Sequence, residues 1–422
     1  MAVSAVTPGK ARPRLGRSFA ALWAATGLAN LGDGFYLLAL PLVAVELTNS
    51  AGLVAGVTAM MTLGWPVFGL YAGVIVDRTD RRRLIVAVNA IRALALAGLT
   101  AALLTDTASI PLVYGVALLM GVGETLVDTS LAAVVPQAVP DRALLGRANA
   151  RIEVAQNVTN QFIGPPLGGL LATAGLAWVT GSSAVLYAGT LGCLAMMRGS
   201  YRATPAPTTG HPPEREPMRS ALLAGIAFTW RHALLRRLTL MTAAMNVFWA
   251  AWVSVLVLYL VDPAHVGLST TGYGILLTTM ALGGIAGAIV VEPLRRRLGA
   301  HRLLALDVVG TIVLIGTPAL TTNPIAIGAA MFVGGAGSAV WRVIVALIRQ
   351  AVTPGDVLGR VYSANRMISW GVLPFGALLG GLVAEFAGVR AVFAVGGIAS
   401  LGLLAVYART VRPADLAAAL AD

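Results

Sequence analysis

Apolar runs of about twenty residues, the length that spans a ~30 Å hydrocarbon core, recur twelve times along this 422-residue chain. They lie near 19–45, 51–76, 84–104, 110–135, 148–172, 177–197, 239–261, 270–291, 302–320, 324–347, 361–384 and 390–408. Inside lipid the backbone finds no water to bond, so runs of this length must satisfy their own amides as helices. Composition agrees. Charged residues make up 11% and hydrophobic residues 57%, against about 25% charged in soluble domains. The expected class is an all-α membrane protein of twelve transmembrane helices, embedded in the lipid bilayer.

The distribution of positive charge orients those spans. The N-terminal tail holds Lys10, Arg12, Arg14 and Arg17, and the second loop holds Arg78, Arg81, Arg82 and Arg83. The fourth loop, central segment, eighth and tenth loops and C-terminal tail carry further arginines, whereas the odd-numbered loops carry only Arg390. Such a bias places both termini and the even loops in the cytoplasm, in a multi-pass protein of the cell inner (plasma) membrane. The formal charge of +12 is therefore a topology signal, and no nucleic-acid partner is expected.

Several chemistries are excluded. Lys10 is the only lysine, so the GxxxxGK[ST] loop of an ATPase motor has no lysine to use. His211, His232, His265 and His301 are scattered without metal-ligand spacing, and Cys193 is a lone cysteine. The expectation is a non-enzyme with no cofactor and no metal, monomeric, powered by a proton gradient.

The chain repeats itself. Gln137-Ala138-Val139 and Leu145-Gly146-Arg147 recur as Gln350-Ala351-Val352 and Leu358-Gly359-Arg360, at an offset of 213 residues. Gly168-Gly169-Leu170 recurs as Gly380-Gly381-Leu382. Parallel repeats of this kind build two pseudo-symmetric six-helix halves that rock about a central site. The expected layout is a cytoplasmic tail at 1–18, a first half at 19–197, a linker at 198–238, a second half at 239–409 and a cytoplasmic tail at 410–422. The linker is Pro-rich and polar at first, then amphipathic over 220–237, as suits a helix lying at the membrane interface.

Two motifs carry family information. Gly73-Val-Ile-Val-Asp77-Arg78-Thr-Asp-Arg81-Arg82-Arg83 resembles the GxxxDRxGRR signature of the major facilitator superfamily, with Asp80 in place of the usual glycine. Gly164-Pro165-Pro166-Leu167-Gly168-Gly169 resembles the GPxxGG tail of the motif found in its drug:proton antiporters, although Arg151 and Asn160 replace the upstream glycines. The stretches 31–41, 63–83, 123–128 and 144–169 extend the likeness to the bacterial branch that includes enterobactin exporters and macrolide-efflux proteins. That resemblance implies the major facilitator fold, with spans 1, 4, 7 and 10 around a central cavity. It also implies a cytoplasmic gate at Gly73, Asp77, Arg78, Arg81 and Arg82, and an antiporter-type contact at Gly164, Pro165, Gly168 and Gly169. The fourth span lacks the arginine that many proton antiporters of the superfamily carry there. Arg92 or Arg151 is the available substitute.

The remaining signal is charge inside the membrane. Asp33 sits near the middle of the first span, where a carboxylate costs about 2.5–3.5 kcal/mol on insertion scales. It must face a wet cavity, find a partner or carry a proton, as a proton-coupling residue would. Glu124 and Asp128, four apart, share a face of the fourth span and are further proton-coupling candidates, as a relay, as a cation site or paired with Arg92 or Arg151. Asn30 and Tyr36 flank Asp33 at helical spacing, and Asn246, Trp249 and Trp252 form a similar stripe on the seventh span. With Trp341 and Arg342 on the tenth, these are the candidate substrate-cavity residues. Aromatic faces there would stack on amphipathic substrates, and Arg342 would hold an anionic substrate or neutralise Asp33. The expected function is a secondary active transporter, a proton-coupled exporter of hydrophobic or amphipathic small molecules by alternating access. The alternative is a dedicated metabolite or siderophore exporter, or a nutrient importer, of the same fold.

Overall fold

A computed structural model describes residues 15–139, 141–197, 199, 201, 218–355 and 357–419, without the side chains of Leu70, Asp77, Arg142, Met218, Arg219 and Ala221. Among the described residues every regular element is helical. The first seven α-helices are α1 (Arg17–Leu47), α2 (Ala51–Arg78), α3 (Arg81–Leu104), α4 (Ile110–Ala138), α5 (Leu145–Asn157), α6 (Gly164–Ala172) and α7 (Leu176–Ala195). Then come α8 (Met218–Arg231), α9 (Ala233–Val261), α10 (Thr270–Leu320), α11 (Pro324–Val352), α12 (Leu358–Trp370), α13 (Leu373–Ala387), α14 (Val389–Thr410) and α15 (Pro413–Ala419). A π-helical segment, Val158–Ile163, joins α5 to α6. Nine segments among the described residues are long and apolar enough to cross a membrane.

Short polar residues set where these helices start. Ser50, Asp80, Ser269 and Asn323 each accept a hydrogen bond from a backbone amide in the first turn of the helix they precede. Such caps satisfy amides that have no partner within the helix. Within α10 the backbone turns at Gly299, with φ 78° and ψ 158°, a conformation that favours glycine. The runs expected at 270–291 and 302–320 therefore fall on either side of one sharp bend. The seventh run begins earlier than the expected 239, because α9 starts at Ala233 behind a cap from the His232 ring. The amphipathic helix of the linker, α8, correspondingly ends at Arg231. Most of the polar stretch 198–217 lies outside the described residues.

Helices α1, α3, α4 and α7 pack together, with α2 on α4 and α6 on α1. In the second part α10 packs on α11 and α14, and α9 on α13 and α14. The two groups meet along α2–α13 and α6–α10. Apolar helices gain little by burial away from lipid, so close approach through small residues does much of the holding. Along α6–α10, Thr270 and Thr271 both donate hydroxyl hydrogen bonds to the Gly169 carbonyl, at 3.0 and 3.2 Å. Along α2–α13, Glu385 reaches across to the start of α2, accepting from Ser50 Oγ at 2.9 Å and from the Gly52 amide at 3.0 Å. These contacts lie at one end of the bundle, hereafter the far end. The arginine-rich links between α2 and α3 and around α8 mark the other, basic end.

Candidate functional site

The site is built around a buried ion pair in the first half. Asp33 on α1 and Arg92 on α3 meet with Nη2 to Oδ1 at 2.8 Å, their side chains 9% and 2% exposed. Tyr187 on α7 donates its hydroxyl to the same carboxylate oxygen. The Arg92 guanidinium also lies 4.7 Å from the centre of the Tyr187 ring and 5.8 Å from that of Tyr36. Local sequence makes room for this. A β-carbon at Gly123 would come within 2.9 Å of Arg92 Cδ, and one at Gly32 within 3.3 Å of the Tyr187 ring. A buried charge without its partner costs several kcal/mol, so the pair, its hydroxyl donor and its aromatic walls form one unit.

Glu124 and Asp128 open onto the same cleft as Asp33 and Arg92, together with Thr26, Asn30, Asn89 and Gln156. The cleft runs toward Leu22, Ile85, Leu131 and Leu194 and encloses about 40 Å³. That volume holds only a few waters, far less than the ~300 Å³ and more of a drug-sized pocket. The charges acting on Glu124 are Asp33, Asp128, Arg92 and Arg366. Arg366 reaches the cluster from α12 of the second half. Its guanidinium lies 3.7 Å from the centre of the Trp65 ring on α2 and 5.8 Å from that of Trp370. The cluster thus brings together three carboxylates and two guanidiniums.

The expected site residues sort into three groups. Asp33, Glu124 and Asp128 are brought together as anticipated, and Arg92 rather than Arg151 supplies the cation. Arg151 lies elsewhere, its carbonyl bonded to the Trp23 indole. Asn30 lines the cleft, with its amide on the Thr26 carbonyl, while Tyr36 is 1% exposed and packs on Arg92. The tryptophans expected to face a substrate are packing residues instead. Trp252 is 1% exposed in the apolar core, and Trp341, 4% exposed, donates its indole N–H to Thr242 Oγ1 at 2.9 Å. Trp249 packs against the same core as Trp252, and Asn246 donates to the Ser369 carbonyl at 2.6 Å. Arg342 does not neutralise Asp33, which Arg92 holds; the carboxylate that feels Arg342 is Asp307.

The two motifs are placed as follows. Arg82 donates to the Leu194 and Ala195 carbonyls at the end of α7, at 2.9 and 3.1 Å. It therefore ties α3 to α7 within the first half. The Arg81 amide bonds the Tyr201 carbonyl, Arg78 is exposed beside the half-buried Gly73, and the Asp77 side chain lies outside the described residues. In the GPxxGG motif, which opens α6, Gly164 lies against Gly34 of α1 and Gly168 against Phe35. Pro165 and Gly169 meet Gly274 and Thr270 of α10. The motif is a three-way seam, with the π-helical segment immediately before it. Sequence reasoning missed Tyr187, the Arg366–Trp65–Trp370 stack and Asp307. Arg366 and Asp307 were visible as charges within apolar runs; Tyr187 carried no signal.

Comparison with known proteins decides the family. The pattern of the family described as Transmembrane secretion effector, a major facilitator transporter family, matches residues 11–421. The chain belongs to this family. Among curated relatives of this secretion effector, the multidrug efflux pump Tap of Mycolicibacterium fortuitum is 28% identical, covering 98% of this chain and 99% of Tap. The enterobactin exporter EntS of Shigella boydii serotype 4 is 29% identical over 92% of this chain and 90% of its own. The nucleoside transporter NupG superposes with a TM-score of 0.71 at 12% identity, over 93% of this chain and 98% of NupG. A bacterial homologue of the iron transporter ferroportin, in an inward-facing state, gives 0.70 at 15%, over 94% and 99%. At such identities the structural likeness speaks for the fold alone. The chain, helical in every regular element among its described residues, thus belongs to a multi-pass transporter family with the major facilitator fold, and the curated relatives named above are exporters.

Proposed function

We propose that this secretion effector is a proton-coupled exporter of hydrophobic or amphipathic small molecules, working by alternating access across the plasma membrane. The observation that carries the reading is the charge count of the cluster, in which Asp33 and Arg92 are buried and Glu124, Asp128 and Arg366 half-buried. Asp33, Glu124 and Asp128 outnumber Arg92 and Arg366 by one, and an uncompensated charge in a low-dielectric interior is costly. A proton is the smallest species that balances it, and the narrow cleft admits protons and water but no drug-sized molecule. Substrate instead binds between the halves, beside Arg366, Trp65 and Trp370, where a cationic or proton-displacing ligand senses the state of the acids. Splitting α10 at Gly299 and pairing α5 with α6 and α12 with α13 would make twelve spans, and the bias of positive charge supports cytoplasmic termini. The far-end contacts then describe a molecule closed to the outside. The importer reading lacks support from the curated relatives, whereas a dedicated metabolite exporter would use the same residues.

The test is efflux in cells stripped of their own pumps, using a panel of dyes and antibiotics with and without a protonophore. Wild type should lower accumulation, and both the protonophore and Asp33→Asn should erase that effect while membrane expression stays normal. The asparagine keeps an acceptor for Arg92 and Tyr187, and normal membrane expression of the variant separates loss of the ionisable carboxyl from a collapsed site. Undiminished efflux by Asp33→Asn would overturn the assignment of Asp33.

A further inference from the structure

The second half contains a carboxylate that the cluster above does not use. Asp307 lies about eight residues beyond the Gly299 bend, roughly 12 Å along its helix at 1.5 Å per residue. It is 2% exposed, and its Oδ2 has no hydrogen-bond partner. Its helix neighbours Leu303, Leu304 and Val308 belong to an apolar cluster with Val340 and Ile344 of α11. Its other carboxylate oxygen packs directly over Gly337 of α11, a position where a β-carbon would collide with it. The fold therefore reserves a space for this side chain and gives its Oδ2 nothing to bond.

One charged group bears on it. Arg342 on α11 is the charge that Asp307 feels, yet no salt bridge joins the two, and Arg342 is exposed. Tyr407 on α14 spends its hydroxyl on the His301 carbonyl at 2.7 Å, and the His301 ring is 3.0 Å from the Val411 carbonyl. The halves thus carry opposite signs at corresponding depths. Shifted by the 213-residue repeat, Arg92 on α3 falls two positions before Asp307, and Asp128 on α4 falls one before Arg342. The basic helix of one half is the acidic helix of the other.

We propose that Asp307 is a second proton-binding site, separate from the Asp33 cluster, loaded when the far end is closed and emptied when Arg342 reaches it. An ionised carboxylate with no donor in apolar surroundings is far costlier than a neutral acid lacking one hydrogen bond. A metal ion is excluded by chemistry, since hard cations want six or more oxygens and the surrounding cluster is apolar. A proton needs only the one carboxylate. Arg342 lies about ten residues before the end of α11 and is free to swing, so closing the basic end would exchange the proton for an ion pair.

The test needs no transported substrate. Wild-type protein in lipid vesicles is treated with dicyclohexylcarbodiimide, which enters apolar regions and reacts with protonated carboxyls, and the adducts are mapped by peptide mass spectrometry across a range of pH. An adduct at Asp307 that fades as pH rises is expected. In Arg342→Gln the adduct should persist to a proton concentration about tenfold lower, the factor that corresponds to one unit of pH. No adduct at Asp307 at any pH, one indifferent to pH, or one indifferent to Arg342→Gln would each overturn the proposal. Adducts at Asp33, Glu124 and Asp128 are scored in the same digest, so failure of the first-half reading is seen separately. Asp307→Asn serves only to confirm the peptide assignment, and a folding defect in it leaves the wild-type measurement intact.

Discussion

Single residues in this protein matter through what they leave behind when removed. Arg92 is enclosed by Tyr36, Tyr187, Asp33 and the Gly123 notch. Arg92→Leu strands three carboxylates with only Arg366 nearby, and breaking a buried pair from one side costs about 3–5 kcal/mol. The expected outcome is a clear drop in unfolding temperature in detergent, measured by intrinsic fluorescence. Arg366→Leu removes a half-buried cation–π stack worth about 0.5–2 kcal/mol, so its drop should be smaller. Equal losses would mean that the Asp33–Arg92 pair is no more buried energetically than the stack. At this scale the sequence was legible wherever a charge interrupted an apolar run: Asp33, Glu124 and Asp128 do share a site. It was illegible wherever a neutral residue does the work. Tyr187 looks like any interfacial tyrosine until α7 brings it against α1. Trp252 and Trp341 show the converse, since a stripe of aromatics at helical spacing reads the same whether it faces a cavity or a neighbouring helix.

At the scale of elements, helix contacts are set by side chains that are missing. The α1–α6 crossing depends on Gly34 and Gly164, and a β-carbon on Gly164 would lie 2.7 Å from the Gly34 Cα. Backbone cannot step aside as a flexible side chain can, so Gly164→Ala should cost about 1–3 kcal/mol of overpacking. Gly98 on α3 has nothing within 4 Å of such a carbon, and Gly98→Ala should be neutral or mildly stabilising through helix propensity. Thermal scans of the two variants check this; comparable losses would mean the seam can relax. The GPxxGG stretch advertised this contact in the sequence. The π-helical segment just upstream, Val158–Ile163, did not, since its residues read as an ordinary continuation of the apolar run. The bend at Gly299 was likewise visible only as a gap between two apolar runs.

The whole molecule is two groups of helices joined along two seams, and the seams should open together if each group moves as a body. Glu385→Ala removes the acceptor at the α2–α13 seam. Thr270→Cys, in a Cys193→Ala background, places a reporter at the α6–α10 seam, whose contact with Gly169 is independent of Glu385. Loss of Glu385 should speed labelling of that distant cysteine by an impermeant maleimide severalfold. An unchanged rate would argue for seams that yield one at a time. The repeat in the sequence points to two halves, and the placement of its arginines points to one basic end. Which end is closed was beyond sequence, because it depends on contacts between residues hundreds of positions apart, such as Ser50 and Glu385.

The contact made by Glu385 has a further meaning. Ser50 and Gly52 belong to one half, and the carboxylate that satisfies them belongs to the other. The first turn of α2 is therefore completed from the other group of helices, by Glu385 of α13. Parting the far end strips that turn of a donor-acceptor pair and of a negative charge at the positive end of its dipole, and closing it restores both. The two strokes of the cycle are thus unequal. Under the proposed cycle and orientation, this inequality would leave the empty protein resting with its far end closed, waiting for cargo from within the cell.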